Sequence, residues 1–213
     1  IANLAEAAAD AIGGDVLLMR VAAYYHDVGK SLRPYFFIEN QMIGQNPHDG
    51  LDPYDSARIV ISHIAEGADL AASHGLPQAV VDAIWQHHGT SRVEYFYRLA
   101  VDRQGEGEVD EAAFRYPGPR PRSREMAILM LADAAEAAVR ASSMQSPPDV
   151  DGVLERIFQH RLGSGQLDDS DLTLRDLQRV RQAFVAVFRR MYHPRIQYPA
   201  GIEPAPARPG GEG

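Results

Sequence analysis

The sequence predicts an all-α domain, a bundle of about eight helices, on three grounds. Apolar residues recur at the i, i+3, i+4 and i+7 spacing of one helix face through most of the chain. Runs that alternate with period two, the mark of a half-buried strand, are almost absent. Glycines, prolines and short polar capping residues fall where one helical pattern stops and the next begins.

Leu4, Ala5, Ala8, Ala9 and Ile12 form the first apolar face, which stops at Gly13-Gly14. Asp15 is placed to cap a second helix that turns Leu17, Leu18, Val21, Ala22 and Tyr25 inward and ends near Gly29. From Ser31 to Pro53 the prolines 34, 47 and 53 interrupt an aromatic stretch, which predicts a long irregular loop with a short helical turn. A helix follows from Tyr54 to about Ser73, and Pro77 opens another through Trp85 that closes at His87-His88-Gly89. Ser91 and Glu94 have the spacing of a capping box at the head of a helix carrying Tyr95, Phe96 and Tyr97.

That helix fades between Arg103 and Asp110, and residues Phe114 to Arg122 are too broken by proline to be helical. Ser123 caps a strongly helical run through about Ser142. Ser146-Pro147-Pro148 predicts a turn, followed by helices over about 150–161 and 173–192, the last stopped by Pro194. Residues 1–198 are expected to form one domain. The Pro-, Gly-, Ala- and Glu-rich residues 199–213 are expected to be a disordered tail.

Composition narrows the function. With 21 basic and 29 acidic residues the formal charge is −8, so the basic footprint of a DNA- or RNA-coating protein is missing and any anionic ligand needs a local device. With 0 Cys there is no disulfide frame, thiolate metal site or cysteine nucleophile, which leaves the 8 His as the notable nitrogen ligands. No apolar run has the roughly 20 residues needed to span a bilayer, so the chain as given is expected to be soluble. Ile1 falls inside a helical pattern, which reads as a domain cut.

Donor residues gather at His26-Asp27, His63, His87-His88 and Asp133. They offer only nitrogen and oxygen, a set suited to borderline or hard divalent ions such as Fe, Mn, Co or Zn. Two such ions about 3.5–4 Å apart clamp both the attacking and the leaving oxygen of a phosphoryl displacement, which would let an acidic protein hold a phosphodiester without a protein nucleophile. Asp133 interrupts an otherwise apolar helix face, where an unpaired carboxylate is costly, so either a metal ion or a buried arginine is expected beside it. Lys30, three residues past Asp27, is placed either to neutralise a phosphate or to sit in solvent.

The ordered set Tyr24-Tyr25-His26-Asp27-Val28-Gly29-Lys30, His63, His87-His88-Gly89-Thr90 and Asp133 resembles the HD superfamily of metal-dependent phosphohydrolases. Glu39-Asn40-Gln41, Asn46-Pro47-His48-Asp49, Tyr95-Phe96-Tyr97, Phe114-Arg115-Tyr116-Pro117-Gly118-Pro119, Leu131-Ala132-Asp133 and Arg195-Ile196-Gln197-Tyr198-Pro199 narrow it to the cytosolic domain of the seven-transmembrane-receptor HD family, PgpH type.

The resemblance implies an HD-domain helical bundle with the metal site in a central cleft. It implies hydrolysis of cyclic di-AMP to linear pApA with two divalent metal ions, Fe or Mn, as cofactors. The metal ligands it implies are His26, Asp27, His63, His87, His88 and Asp133, with Asp27 bridging. Asp27 and His87, with Lys30 from its place beside the pair, are the candidate catalytic residues, although a leaving-group role for either histidine goes beyond the residues themselves. The family has a further ligand histidine about four residues before the place where this sequence begins. Partners implied are a cyclic dinucleotide substrate, no DNA or RNA, and a membrane reached through segments outside this chain on the cytoplasmic face of the bacterial inner membrane; a homodimer is compatible with it.

Three questions stay open at this stage. Arg115, Arg120, Arg122 and Arg124 either cover the substrate or are solvated. The Tyr35-Phe36-Phe37 and Tyr95-Phe96-Tyr97 clusters supply either base contacts or core. Glu66 either orients the His63 ring or lies at the surface. Two competing functions are an HD phosphohydrolase for another nucleotide, such as cyclic di-GMP or a guanosine polyphosphate, and a non-catalytic nucleotide sensor. Against cyclic di-GMP, Gly89-Thr90 follows the histidine pair where the relevant relatives carry Gly-Tyr-Pro.

Overall fold

The computed structural model describes residues 1–40, 46–143 and 149–192, and among them eight α-helices and no named strand. In order these are α1 (Ala2–Ile12), α2 (Val16–Tyr25), α3 (Pro53–Ser73), α4 (Gln78–Gln86), α5 (Glu94–Gln104), α6 (Arg124–Ser143), α7 (Val150–Gly163) and α8 (Leu174–Met191). The turn expected at Ser146–Pro148, the stop at Pro194, the Arg195–Pro199 motif and the tail from residue 199 lie outside the described residues, as does Gln41. No described helix is long and apolar enough to cross a membrane.

Helix α6 forms the axis of the larger core. Its residues Met126 to Ala132 are all buried, as expected of a helix that is apolar all round. Helices α1, α2 and α7 pack on it, bringing Leu4, Met19 and Leu154 into the core, and α8 packs on α1 and α7 and adds Phe184 and Phe188. Two smaller clusters flank α3. Ala57 meets Phe96 and Phe114 on one side, and Ala68 and Ala71 meet Val81 and Ile84 of α4 on the other. The donor residues lie where these clusters adjoin the larger core.

Caps account for most helix starts. Asp15 accepts from the Leu18 amide at 2.8 Å, and Ser123 accepts from Met126 at 3.2 Å, both at the expected positions. A capping box of Thr173 and Asp176 heads α8. The capping box expected at Ser91 and Glu94 does not form. Ser91 instead donates to the His88 carbonyl, and Glu94 is held by Arg92 at 2.8–2.9 Å, so α5 starts from Val93 without a side-chain cap. Charge pairing with a neighbouring arginine outcompetes the backbone amide for that carboxylate.

Helix α2 also ends earlier than expected, at Tyr25, and the chain tightens into a 3-10 turn over Val28–Leu32. The expected irregular stretch before α3 contains two further 3-10 turns, Pro34–Phe36 and Ile38–Asn40.

Candidate metal centre

Helix ends deliver four of the donors. His26 caps α2 in helical conformation, and Asp27 follows at φ −105° and ψ 14°, which swings the pair out of the helix. The next turn lies hard against α3: a Cβ on Gly29 would stand 2.0 Å from the His63 carbonyl oxygen. Only glycine permits that approach, and it sets Asp27 opposite His63. His87 caps α4, His88 follows, and Gly89 at φ +54° reverses the chain. The Thr90 amide is then held by Gln166 Oε1 at 2.9 Å.

Three imidazoles are fixed in the same manner. Nδ1 of His26, His63 and His87 donates to the carbonyl three residues earlier on its own helix, Ala23, Val60 and Ile84, at 3.0, 2.5 and 2.8 Å. A carbonyl only accepts, so each ring is committed at Nδ1 and presents Nε2 to the cluster. A backbone carbonyl behind the ring is the usual partner of a metal-ligating histidine.

The donors fall into two groups joined by one carboxylate. Asp27, His63, His87 and His88 offer atoms within 4.8 Å of one another, and so do His26, Asp27 and Asp133. Asp27 divides its oxygens between them. Oδ1 faces Nε2 of His63 at 3.4 Å and of His87 at 3.6 Å, while Oδ2 faces His26 at 3.1 Å and Lys30 at 2.9 Å. Asp133 lies 3.7 Å from both His26 and His88. Asp27 Oδ1 and His26 Nε2 are buried and make no hydrogen bond of acceptable geometry despite these neighbours.

Protonation separates the groups. Burial lowers His63 to about 4 and pushes His88 well below the ordinary range, so both rings are neutral. Burial also disfavours charge on His26, but the Asp133 and Asp27 carboxylates outweigh it and raise that ring to about 10. Burial likewise opposes ionisation of both aspartates, and the histidines beside them overcome it and hold both below the usual carboxylate range. Tyr116 stacks on His88 at 4.2 Å, and burial keeps its phenol protonated.

These groups open into a cavity of about 1070 Å³, as large as the biggest ordinary ligand clefts. One end is aromatic, with Phe36, Phe37, Tyr95 and Phe96. The other is formed by the start of α1 together with Tyr24, Glu136 and Arg140. The histidine implied before Ile1 lies outside this sequence. Glu136 and Arg140, three and seven residues beyond Asp133, were not singled out from the sequence, although their helical spacing from Asp133 is the signal for them. Arg161 feels Asp133 electrostatically, yet the basic groups within ion-pair distance of that carboxylate, among the described residues, are His26 and His88.

Other sequence candidates lie elsewhere. Glu66 pairs with Arg33 at 2.8 Å and does not orient His63, whose ring already has the Val60 carbonyl. Arg115 is tied to Glu111 and to the Thr90 carbonyl, and Arg120 to Asp169 and the Gly165 carbonyl. None of Arg115, Arg120, Arg122 and Arg124 lines the large cavity.

Residues 1–138 match the family model of the HD domain. The cyclic-di-AMP phosphodiesterase PgpH of Listeria monocytogenes is 42% identical over 93% of this chain, which spans 27% of that protein. PgpH of Bacillus subtilis is 44% identical over 93% of this chain and 28% of its own length. This chain therefore spans about a quarter of the length of the curated relatives it matches. The crystal structure of the L. monocytogenes PgpH HD domain in complex with cyclic-di-AMP superposes with a TM-score of 0.86 at 42% identity, covering 92% of this chain and 90% of that one.

Proposed function

Because this chain belongs to the HD domain family, we propose that it is a metal-dependent phosphodiesterase that hydrolyses cyclic di-AMP to the linear dinucleotide pApA. Membership implies divalent-metal binding, and the His/Asp cluster fits it. The observation that carries the reading is the contact between Asp27 Oδ1 and Nε2 of neutral His63. An anionic oxygen and a nitrogen lone pair face each other at 3.4 Å, and the oxygen has no hydrogen-bond partner. Such a pair repels unless a cation lies between them.

In this reading His63, His87, His88 and Asp27 hold one ion, and His26, Asp27 and Asp133 hold the second, with Fe or Mn as the metals. Paired divalent ions supply an acidified water and neutralise charge on the phosphoryl oxygens. The carbonyls of Ala23, Val60 and Ile84 keep three imidazoles aimed, so no ring reorganises during turnover. Lys30, tied to Asp27 at 2.9 Å and set over the Phe37 ring, offers positive charge to a phosphate entering the cavity. Buried Tyr116 stays a phenol and serves as a platform for His88, not as a base. In the cell the domain works on the cytoplasmic face of the bacterial inner membrane, tethered through segments outside this chain, as the implied receptor architecture requires.

Incubation with Mn(II), or anaerobic Fe(II), and cyclic di-AMP or cyclic di-GMP, followed by chromatography, tests the assignment. Conversion of cyclic di-AMP to pApA is expected, with little conversion of cyclic di-GMP. Binding of cyclic di-AMP without turnover in metal-loaded protein would point to a sensor instead.

A further inference from the structure

The aromatic end of the cavity contains a histidine that the phosphoryl chemistry does not use. His48 is 8% exposed and lies between two phenylalanines, 5.4 Å from the Phe36 ring and 4.8 Å from the Phe96 ring. It nevertheless forms part of the cavity wall, together with Ile38 and Tyr95, which stand 76% and 67% exposed at the mouth. Its Nε2 donates to the Phe36 carbonyl at 2.9 Å. With the neutral ring's one proton committed there, Nδ1 is a lone pair. That Nδ1 is buried and has no hydrogen-bond partner. A buried acceptor left unpaired is uncommon, because its desolvation is uncompensated.

We propose that His48 reads the base of the bound nucleotide by accepting a hydrogen bond from the exocyclic amino group of an adenine seated at this aromatic end. The proposal rests on the reading of the site as a cyclic dinucleotide phosphodiesterase. Flat apolar walls suit any purine, since every base has a π face, so stacking alone cannot select one. Position 6 of the purine is the discriminating point: adenine carries an amino donor there and guanine a carbonyl acceptor. An acceptor on the wall rewards the first and repels the second. Nδ1 is shielded from water, so the ring must turn on its χ2, a broad torsion, to meet the ligand; the turn lengthens the bond to the Phe36 carbonyl, and the base contact takes its place. Asn46 holds the backbone beneath it: its side-chain oxygen accepts from the His48 amide at 3.1 Å, and its amide donates to Asp49.

The test compares cyclic di-AMP with cyclic di-inosine monophosphate, which replaces the 6-amino group by a carbonyl and turns the adjacent N1 from acceptor to donor, at pH 8 with Mn(II). Wild-type protein is expected to prefer the adenine compound by about tenfold or more in kcat/KM, the scale of one buried base contact. His48→Phe fills the slot without an acceptor and should bring that ratio close to one. His48→Gln, which can donate to the Phe36 carbonyl and still present an oxygen, should retain part of it. Hydrolysis of bis(p-nitrophenyl) phosphate, which has no base, should stay within about twofold in both variants, and a thermal melt confirms that they are folded. An unchanged ratio in His48→Phe with the base-free reaction intact would overturn the assignment. If His48→Phe does not fold, a preference reduced but not abolished in folded His48→Gln would support it, and a preference fully retained or wholly absent there would overturn it. A wild-type protein that cleaves bis(p-nitrophenyl) phosphate but neither cyclic dinucleotide would overturn the substrate reading itself, and the role of His48 with it.

Discussion

The two donor groups that share Asp27 differ in their protons. In the larger group His63 is held down to about 4 and His88 well below the ordinary range, so a cation there displaces no proton from either ring. In the smaller group His26, pressed between Asp27 and Asp133, is raised to about 10 and keeps its proton at neutral pH. The same residue type is tuned in opposite directions within one cluster by whether burial or carboxylates dominate. Under the proposed two-ion reading the sites would be unequal: one ion would enter a ready imidazole site, and the other would compete with a proton.

Removing the shared residue should erase this difference altogether. Asp27→Ala takes one oxygen from each group, and turnover of cyclic di-AMP is expected to fall by about 10³-fold or more. Metal content should drop in parallel by elemental analysis, and an Asp27→Ala protein with full activity and both metals would break the bridging assignment. His63→Ala acts on the larger group only. It should leave one ion per chain and cost more than the roughly 10–100-fold typical of losing an outer-shell partner.

The pH dependence sharpens the comparison further. His26 lies above its ordinary value of 6.5, so in metal-free protein its pairing with the two carboxylates stabilises fully below that pH and is lost as pH rises through about 10. A cation entering the smaller group must displace that proton. Its affinity should climb about tenfold per pH unit between 7 and 9, with about one proton released per chain in a weakly buffered Mn(II) titration. Binding to the larger group should show no such slope from His63 or His88.

Two further variants test the frame around the groups. Gly29→Ala forces a Cβ against the His63 carbonyl and should cost about 1–3 kcal/mol of stability, read as a lower melting temperature, while also moving Asp27 away from His63. Glu66→Ala should change turnover by less than about twofold, because that carboxylate pairs with Arg33 at the surface, where ion pairs contribute little.

Helix count and order were legible in the sequence because apolar spacing and caps such as Asp15 and Ser123 are local signals. The six donors were equally legible as residues, and the structure brings all six into two adjoining groups. The division of Asp27's oxygens was not, since it depends on how closely Gly29 approaches α3, a long-range contact. The carbonyl clips behind His26 and His87 were not legible because they need the exact end of each helix, the least certain feature of a sequence reading, and the clip behind His63 was not because it depends on that ring's rotamer within α3. The cap expected of Glu94 failed, and the alternatives left open for Glu66, Arg115 and Arg120 were decided, for one reason: each side chain found an opposite charge that periodicity does not reveal.

Electron paramagnetic resonance during a Mn(II) titration tests the shared carboxylate most directly. At pH 8 the first equivalent should give the six-line signal of an isolated ion, and the second should replace it with the broadened spectrum of an exchange-coupled pair, as two ions joined through Asp27 require. Two equivalents that bind yet remain magnetically independent, or saturation at one, would contradict the arrangement.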